Sequence, residues 1–195
     1  MGYSMEASRD NCYPNTTCLI NKFGIKDDKK LSEIETEITF AKAAILESEE
    51  AELPLDFGFY KYIHCFLFED LYDWAGKLRK VDISKKRTAF CPVKELESSC
   101  KACFNRLKEE NYFKEYSREQ FVEEIVDFYV TTNFLHPFRE GNGRTQRIFI
   151  SKLIKYNGYD FNFSNIDPDF LMIATIKASS GVTDNLYDIF NNGIR

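Results

Sequence analysis

The chain has 195 residues, 44% of them hydrophobic and 15% aromatic, enough to bury one substantial core as a single domain. A formal net charge of −5 argues against a nucleic-acid partner held through phosphate contacts. There is no apolar run of membrane-spanning length and no signal-peptide pattern at the first residues, so no membrane partner and a cytoplasmic location are expected.

In chain order, residues 1–12 are expected to be a mobile N-terminal segment and residues 13–195 a single domain. The first 28 residues read as irregular, with Pro14, Asn15 and Gly24 as turn signals. Asp27 or Asp28 is placed to cap a helix whose Leu31, Ile34, Ile38, Ala41 and Ile45 share one face. Residues 51–56 form a linker with Pro54. Asp56 then caps a helix with Phe57, Tyr60, His64, Leu67, Leu71 and Trp74 in register, and Gly76 stops it. His64, inside this aromatic stripe, reads as structural. Val81-Asp82-Ile83 and Thr88-Ala89-Phe90 flank a basic tip and read as a hairpin, the one place where strand is expected. Pro92 suits the first turn of a helix carrying Val93, Leu96, Cys100, Cys103 and Leu107 on one face. The Cys-x-x-Cys at Cys100 and Cys103 has no second pair. With six cysteines in all and no zinc-type spacing, free thiols are expected.

Ser117 with Gln120 forms a capping-box start for a helix in which Phe121, Ile125, Phe128, Tyr129, Thr132 and Leu135 recur at helical spacing. Pro137 disfavours the α conformation at His136, so that helix should stop there and leave an imidazole at a helix–loop junction. Gly141-Asn142-Gly143 can turn tightly with amides aimed one way. A new helix follows from Arg144 to about Asn157-Gly158, and Arg144 and Arg147 share one face of it. Loop amides at a helix start favour an anion, and two guanidiniums can clamp phosphate oxygens. Glu140 is a hard oxygen ligand suited to Mg²⁺ on phosphates, and His136 is a base that works near neutral pH. Taken singly, each feature has an ordinary structural reading: a capping histidine, a turn, two solvated arginines. Twelve residues that hold all of them point to nucleotide binding with attack by a hydroxyl. Asp167-Pro168 opens a further helix through Ile176, and Thr183 or Asp184 opens the last, with Leu186, Ile189 and Phe190. Tyr187 and Asn191 on that helix are candidates to border an adenine pocket, with packing the plainer role for Tyr187.

His136-Pro137-Phe138-Arg139-Glu140-Gly141-Asn142-Gly143-Arg144-Thr145-Gln146-Arg147 resembles the full signature of the Fic family, with no departure in the motif. Residues 69–82, containing Trp74-Ala75-Gly76-Lys77-Leu78-Arg79, resemble the family segment that leads to a target-docking flap. The resemblance implies an all-α, Fic-like helical bundle with one small β-hairpin flap. It implies a protein adenylyltransferase moving AMP from ATP to a Ser, Thr or Tyr hydroxyl of a target protein, itself included. In that reading His136 deprotonates the hydroxyl, Glu140 holds Mg²⁺, and Gly141, Asn142 and Gly143 form the anion hole. Arg144 and Arg147 lie on the phosphates, and Phe138 is a core anchor. Ile83, Ser84, Lys85, Thr88 and Phe90 of the flap hold the target by strand addition.

Many family members carry an inhibitory Ser/Thr-x-x-x-Glu followed by Gly or Asn. Here the only such spacing is Ser48 to Glu52, followed by Leu53. A separate small antitoxin-like inhibitor therefore stays open, as does a secreted effector role. Two other readings stay open as well. The same fold transfers UMP, phosphate or phosphocholine in related proteins, although Gly143 favours AMP. A nucleotide-binding interaction protein without turnover is the other.

Overall fold

The computed structural model describes residues 10–50, 54–85 and 88–195, with the side chains of 85–88 left out. Its elements are α1 (Asp28–Ser48), α2 (Phe57–Phe68), β1 (Ser84–Lys85), β2 (Thr88–Ala89), α3 (Val93–Glu109), α4 (Arg118–Leu135), α5 (Asn142–Tyr156), α6 (Pro168–Ala178) and α7 (Asp184–Gly193). The fold is all-α, and the short antiparallel hairpin pairs Ser84 with Ala89 and Lys85 with Thr88. Of the segment expected to be mobile, residues 1–9 lie outside the described residues. Cys12 bridges to Leu19, and Asn11 accepts a backbone bond from Ile20. Residues 51–53 of the expected linker are likewise outside.

Helix starts follow the capping residues. Asp27, rather than Asp28, accepts from the Lys30 amide at 2.8 Å. Asp56 accepts from Phe59, and Asp167 from Phe170 with Pro168 behind it. Ser117 and Gln120 close the capping box in both directions. The cap gives a small, clean test. Ser117→Ala should destabilise the protein by about 1 kcal/mol, read as a lower urea midpoint at unchanged slope.

Two helices depart from the sequence pattern. The buried side of α1 is Leu31, Thr39 and Leu46, flanked by the half-buried Ile34, Glu35 and Ile38. Ala41 and Ile45 face outward. A strict seven-residue apolar spacing drifts around a 3.6-residue helix, and here polar groups claim part of the inward side. α2 ends at Phe68, not near Trp74. The chain then turns, so that Leu71 and Tyr72 are buried while Glu69 and Asp70 meet the Lys42 ammonium at 3.0 and 2.6 Å.

Central to the core are α4 and α5, with α1, α2 and α3 packed around them and α7 against α4. Phe149 on α5 is fully buried, its ring within 5.2–5.7 Å of Tyr60, Phe104 and Phe128. The Gln146 amide ties the two central helices by donating to the Tyr129 carbonyl at 2.7 Å and the Thr132 hydroxyl at 2.8 Å. The loop between this pair carries the motif, so its residues sit between the two central helices. All described cysteines are free thiols. Burial pushes Cys100 and Cys103 up to about 12, which suits packing rather than redox chemistry.

Candidate active site

His136 closes α4 in the left-handed conformation, φ 43°, with its amide bonded to the Thr132 carbonyl. The helix stops where Pro137 requires it. Imidazole Nδ1 lies 3.2 Å from the Asn133 carbonyl. A carbonyl only accepts, so Nδ1 carries the hydrogen and Nε2 is the proton-accepting nitrogen. The Phe90 ring lies parallel to the imidazole, centroids 3.9 Å apart.

The loop beyond is held by its own side chains. The Phe138 amide donates to Asn142 Oδ1, and Asn142 Nδ2 donates back to the Phe138 carbonyl, both at 2.8 Å. Phe138 is fully buried and stacks on His64 at 3.8 Å. Gly141 has φ +78°, and a Cβ there would sit 2.2 Å from Phe68 Cζ. α5 begins at Asn142, two residues earlier than the pattern suggested. The Thr145 amide bonds to the Gly141 carbonyl, so the amides of Asn142, Gly143 and Arg144 precede the first intrahelical bond. Unpaired amides at a helix start suit an anion. Asn142 offers its amide, since its side chain is engaged in the loop.

Arg144 is shared between the site and α1. Its Nη2 meets Glu35 Oε1 at 2.5 Å, its Nη1 donates to Thr39 at 3.1 Å, and its guanidinium lies over the Phe68 ring. Tyr72 bonds the other oxygen of Glu35. Arg147 lies beside Gly143, where a Cβ would come within 3.3 Å of its Nη1. Arg139, unassigned in the sequence reading, is buried and reaches the Asp10 carbonyl and Cys12 Sγ.

Glu140 Oε1 accepts from the Gly141 amide at 3.0 Å and lies 3.8 Å from Arg144 Nη2. Among the described residues no cluster of three or more His, Cys, Asp or Glu could hold a metal. One part-exposed carboxylate beside an anion site does fit Mg²⁺, which is commonly held by one or two carboxylates, substrate phosphates and water.

A cavity of about 730 Å³ opens beside the loop, and Glu140, Gly141 and Asn142 are not among the residues that line it. His136, Gly143, Arg144 and Arg147 line one part of it. Phe163, Ile166, Leu171, Met172 and Ile176, from α6 and the turn before it, give it an apolar wall. Neither Tyr187 nor Asn191 lines it. The Asn191 side chain instead accepts from Arg118 at 2.8 Å. The sequence pattern pointed to α7, but α7 packs on α4 while α6 is the helix that reaches the cavity.

The hairpin is shorter than expected, two residues per strand. Ile83 and Phe90 are buried at its roots; Ser84 and the backbones of Lys85 and Thr88 form the ladder. The basic tip at 86–87 lies outside the described residues.

His64 does more than fill space. The Gly76 amide donates to its Nδ1 at 2.8 Å, so Nε2 carries the hydrogen and donates to the Glu140 carbonyl at 3.0 Å. Burial, with the Arg144 charge adding to it, drives its pKa down from 6.5 to about 3. The folded chain thus refuses a proton that the unfolded chain takes up between those values. Stability contributed by the neutral ring is present above pH 6.5 and is lost as pH falls toward 3. Urea denaturation of His64→Gln should show a shallower loss with acidification than the parent, by up to about 1.4 kcal/mol per pH unit.

The fold and the loop define an all-α domain in which one connection holds a histidine and a helix start with three unpaired amides. The Fic/DOC family model matches residues 54–154, from just before α2 to near the end of α5. The chain is 34% identical over 171 residues to the probable protein adenylyltransferase y4lH of Sinorhizobium fredii, covering 87% of this chain and 88% of that one. It is 34% identical over 184 residues to the probable protein adenylyltransferase Fic of Salmonella typhimurium, with 93% and 90% covered. The crystal structure of BepC, a VirB-translocated effector of Bartonella tribocorum with bound AMPPNP, matches with TM-score 0.88. It is 27% identical and covers 96% of this chain and 97% of that one. An N-terminal Fic domain from Bartonella quintana with bound ADP also matches at TM-score 0.88 and 27% identity, covering 96% and 95%. The chain belongs to the Fic/DOC family.

Proposed function

We propose that the chain is a protein adenylyltransferase, moving AMP from ATP to a Ser, Thr or Tyr hydroxyl of a target protein and releasing pyrophosphate. The observation that carries this reading is that His136, Gly143, Arg144 and Arg147 line one cavity that also has an apolar wall of Phe163, Ile166, Leu171, Met172 and Ile176. Its polar part suits a triphosphate, and its apolar wall suits a base. Two relatives are named probable protein adenylyltransferases, and two similar structures hold AMPPNP and ADP.

In this reading the triphosphate lies on the amides of Asn142, Gly143 and Arg144, with Arg144 and Arg147 against its oxygens. Arg144 arrives with its geometry set by Glu35 and Thr39. Glu140 would hold Mg²⁺, which would supply further charge neutralisation at the phosphates. The target segment adds to the hairpin through main-chain bonds. Its hydroxyl gives its proton to His136 Nε2, and its oxygen forms a bond to the α-phosphorus. The bond to the oxygen bridging toward the β-phosphorus breaks, and pyrophosphate leaves. Positioning and charge stabilisation supply most of the rate.

Gly143 bears on the alternative transfers. Any side chain there would press on Arg147 and change how the phosphates sit, so glycine supports the AMP orientation. No helix among the described residues is long and apolar enough to cross a membrane. Use of ATP suits work in a cytoplasm, either that of the producing cell or that of a cell into which the chain is delivered. The sequence carries no Ser/Thr-x-x-x-Glu followed by Gly or Asn, which leaves control by a separate small inhibitory protein or control of another kind.

The test incubates the chain with ATP labelled on the α-phosphate, with and without cell lysate, and reads modified proteins by mass spectrometry. One AMP per acceptor hydroxyl is expected. An adduct of phosphate or UMP would replace the reading with one of its alternatives. Nucleotide binding with no adduct on any protein would leave an interaction protein.

A further inference from the structure

Arg79 carries a guanidinium that is fully buried, and its nearest carboxylate among the described residues is Asp82 at 3.9 Å. Its partners are main-chain carbonyls from three separate stretches. Nε donates to the His136 carbonyl at 2.9 Å, and Nη2 reaches the Leu135 carbonyl at 3.4 Å. Nη1 donates to the Val81 carbonyl at 2.8 Å, and Nη2 also donates to the Cys91 carbonyl. The Arg79 amide completes the set with the Pro137 carbonyl at 2.9 Å. Val81 and Cys91 lie just outside Ile83 and Phe90, one on each arm leading into the hairpin. Leu135 and His136 are the end of α4 and the base itself.

A plain structural role is available: a cation at a helix C-terminus satisfies carbonyls and complements the helix dipole. That role accounts for the bonds to Leu135 and His136. It does not account for the same planar group also gripping both arms that lead into the hairpin. Phe90, adjoining Cys91, stacks on the His136 ring, so hairpin and imidazole meet at a second point.

We propose that Arg79 is a positioning residue that fixes the hairpin's register relative to His136, and so sets where a hairpin-held hydroxyl stands with respect to the base. It touches neither nucleotide nor target. This inference rests on the adenylyltransferase reading. Transfer between two separately held groups is steep in distance, and a misplacement of about 1 Å can cost roughly 100-fold. Lysine keeps the charge but is a point donor on a flexible stem and does not reproduce the fork.

The experiment uses the full chain, Arg79→Lys and Arg79→Gln, with measurements of folding, ATP affinity, and AMP delivered to protein against AMP released to water. Arg79→Lys should fold, bind ATP with an affinity close to the parent, and lose roughly 100-fold in kcat for transfer to protein. The ratio of AMP on protein to AMP in water should fall at least tenfold, because water needs no hairpin. Three results would overturn the assignment: an unchanged ratio, transfer loss that tracks lost ATP affinity, or failure of both variants to fold. A parent chain that labels no protein would instead sink the adenylyltransferase reading itself.

Discussion

Replacing His136 by alanine is expected to lower AMP transfer by about 100- to 10,000-fold, the range for loss of a positioned general base, with ATP affinity nearly unchanged. The imidazole bonds the Asn133 carbonyl and stacks on Phe90, and neither contact holds the amides of Asn142, Gly143 and Arg144. Those amides are held by the Asn142 clasp on Phe138 and by the start of α5. Base and anion site are therefore separable. Equilibrium binding of ATP beside single-turnover transfer checks the split. Transfer at the parent rate would mean that another group takes the proton.

Gly141→Ala should disable both halves together. The position has φ +78°, where a side chain costs about 1–2 kcal/mol. The added methyl would also lie 2.2 Å from Phe68 Cζ and 2.3 Å from Cε2. Phe68 is fully buried and its ring carries the Arg144 guanidinium, so it has no room to yield. Overpacking of this kind costs roughly 1–3 kcal/mol more. The expected result is a lower thermal midpoint, weaker ATP binding and lost transfer in the same variant. A variant with parental stability and affinity would show that the loop tolerates a different path.

What the sequence made legible was local. The caps at Asp56, Ser117 and Asp167 are written in side chains next to the backbone they satisfy, so those helices begin where expected. The histidine before Pro137 and the glycine-framed turn likewise announce a junction between two helices. The hairpin was legible as a hairpin, though its ladder is shorter than its β-branched residues suggested.

Long-range partnerships were not legible. Nothing in the sequence pattern marks Glu35, yet it meets Arg144, 109 positions away. His64 sat in an aromatic stripe with nothing to mark that its two nitrogens would bridge Gly76 and Glu140. Arg79 was visible only as the last letter of a segment resembling the family's. The cavity wall was missed because α6 alternates buried and exposed apolar residues, and its outward set, Met172 and Ile176, borders the cavity. Periodicity reports that a residue faces apolar surroundings. It does not report which other stretch supplies them.

The apolar side of the cavity has a consequence for how this architecture diversifies. Residues 54–154 hold every group of the catalytic loop, but α6 and the turn before it lie beyond that stretch. Under the proposed function, with the apolar wall taking the base, phosphate grip and most of the base recognition fall in separate pieces of the chain. On that reading, drift in the later piece would retune which nucleoside is accepted while the reacting groups stay as they are.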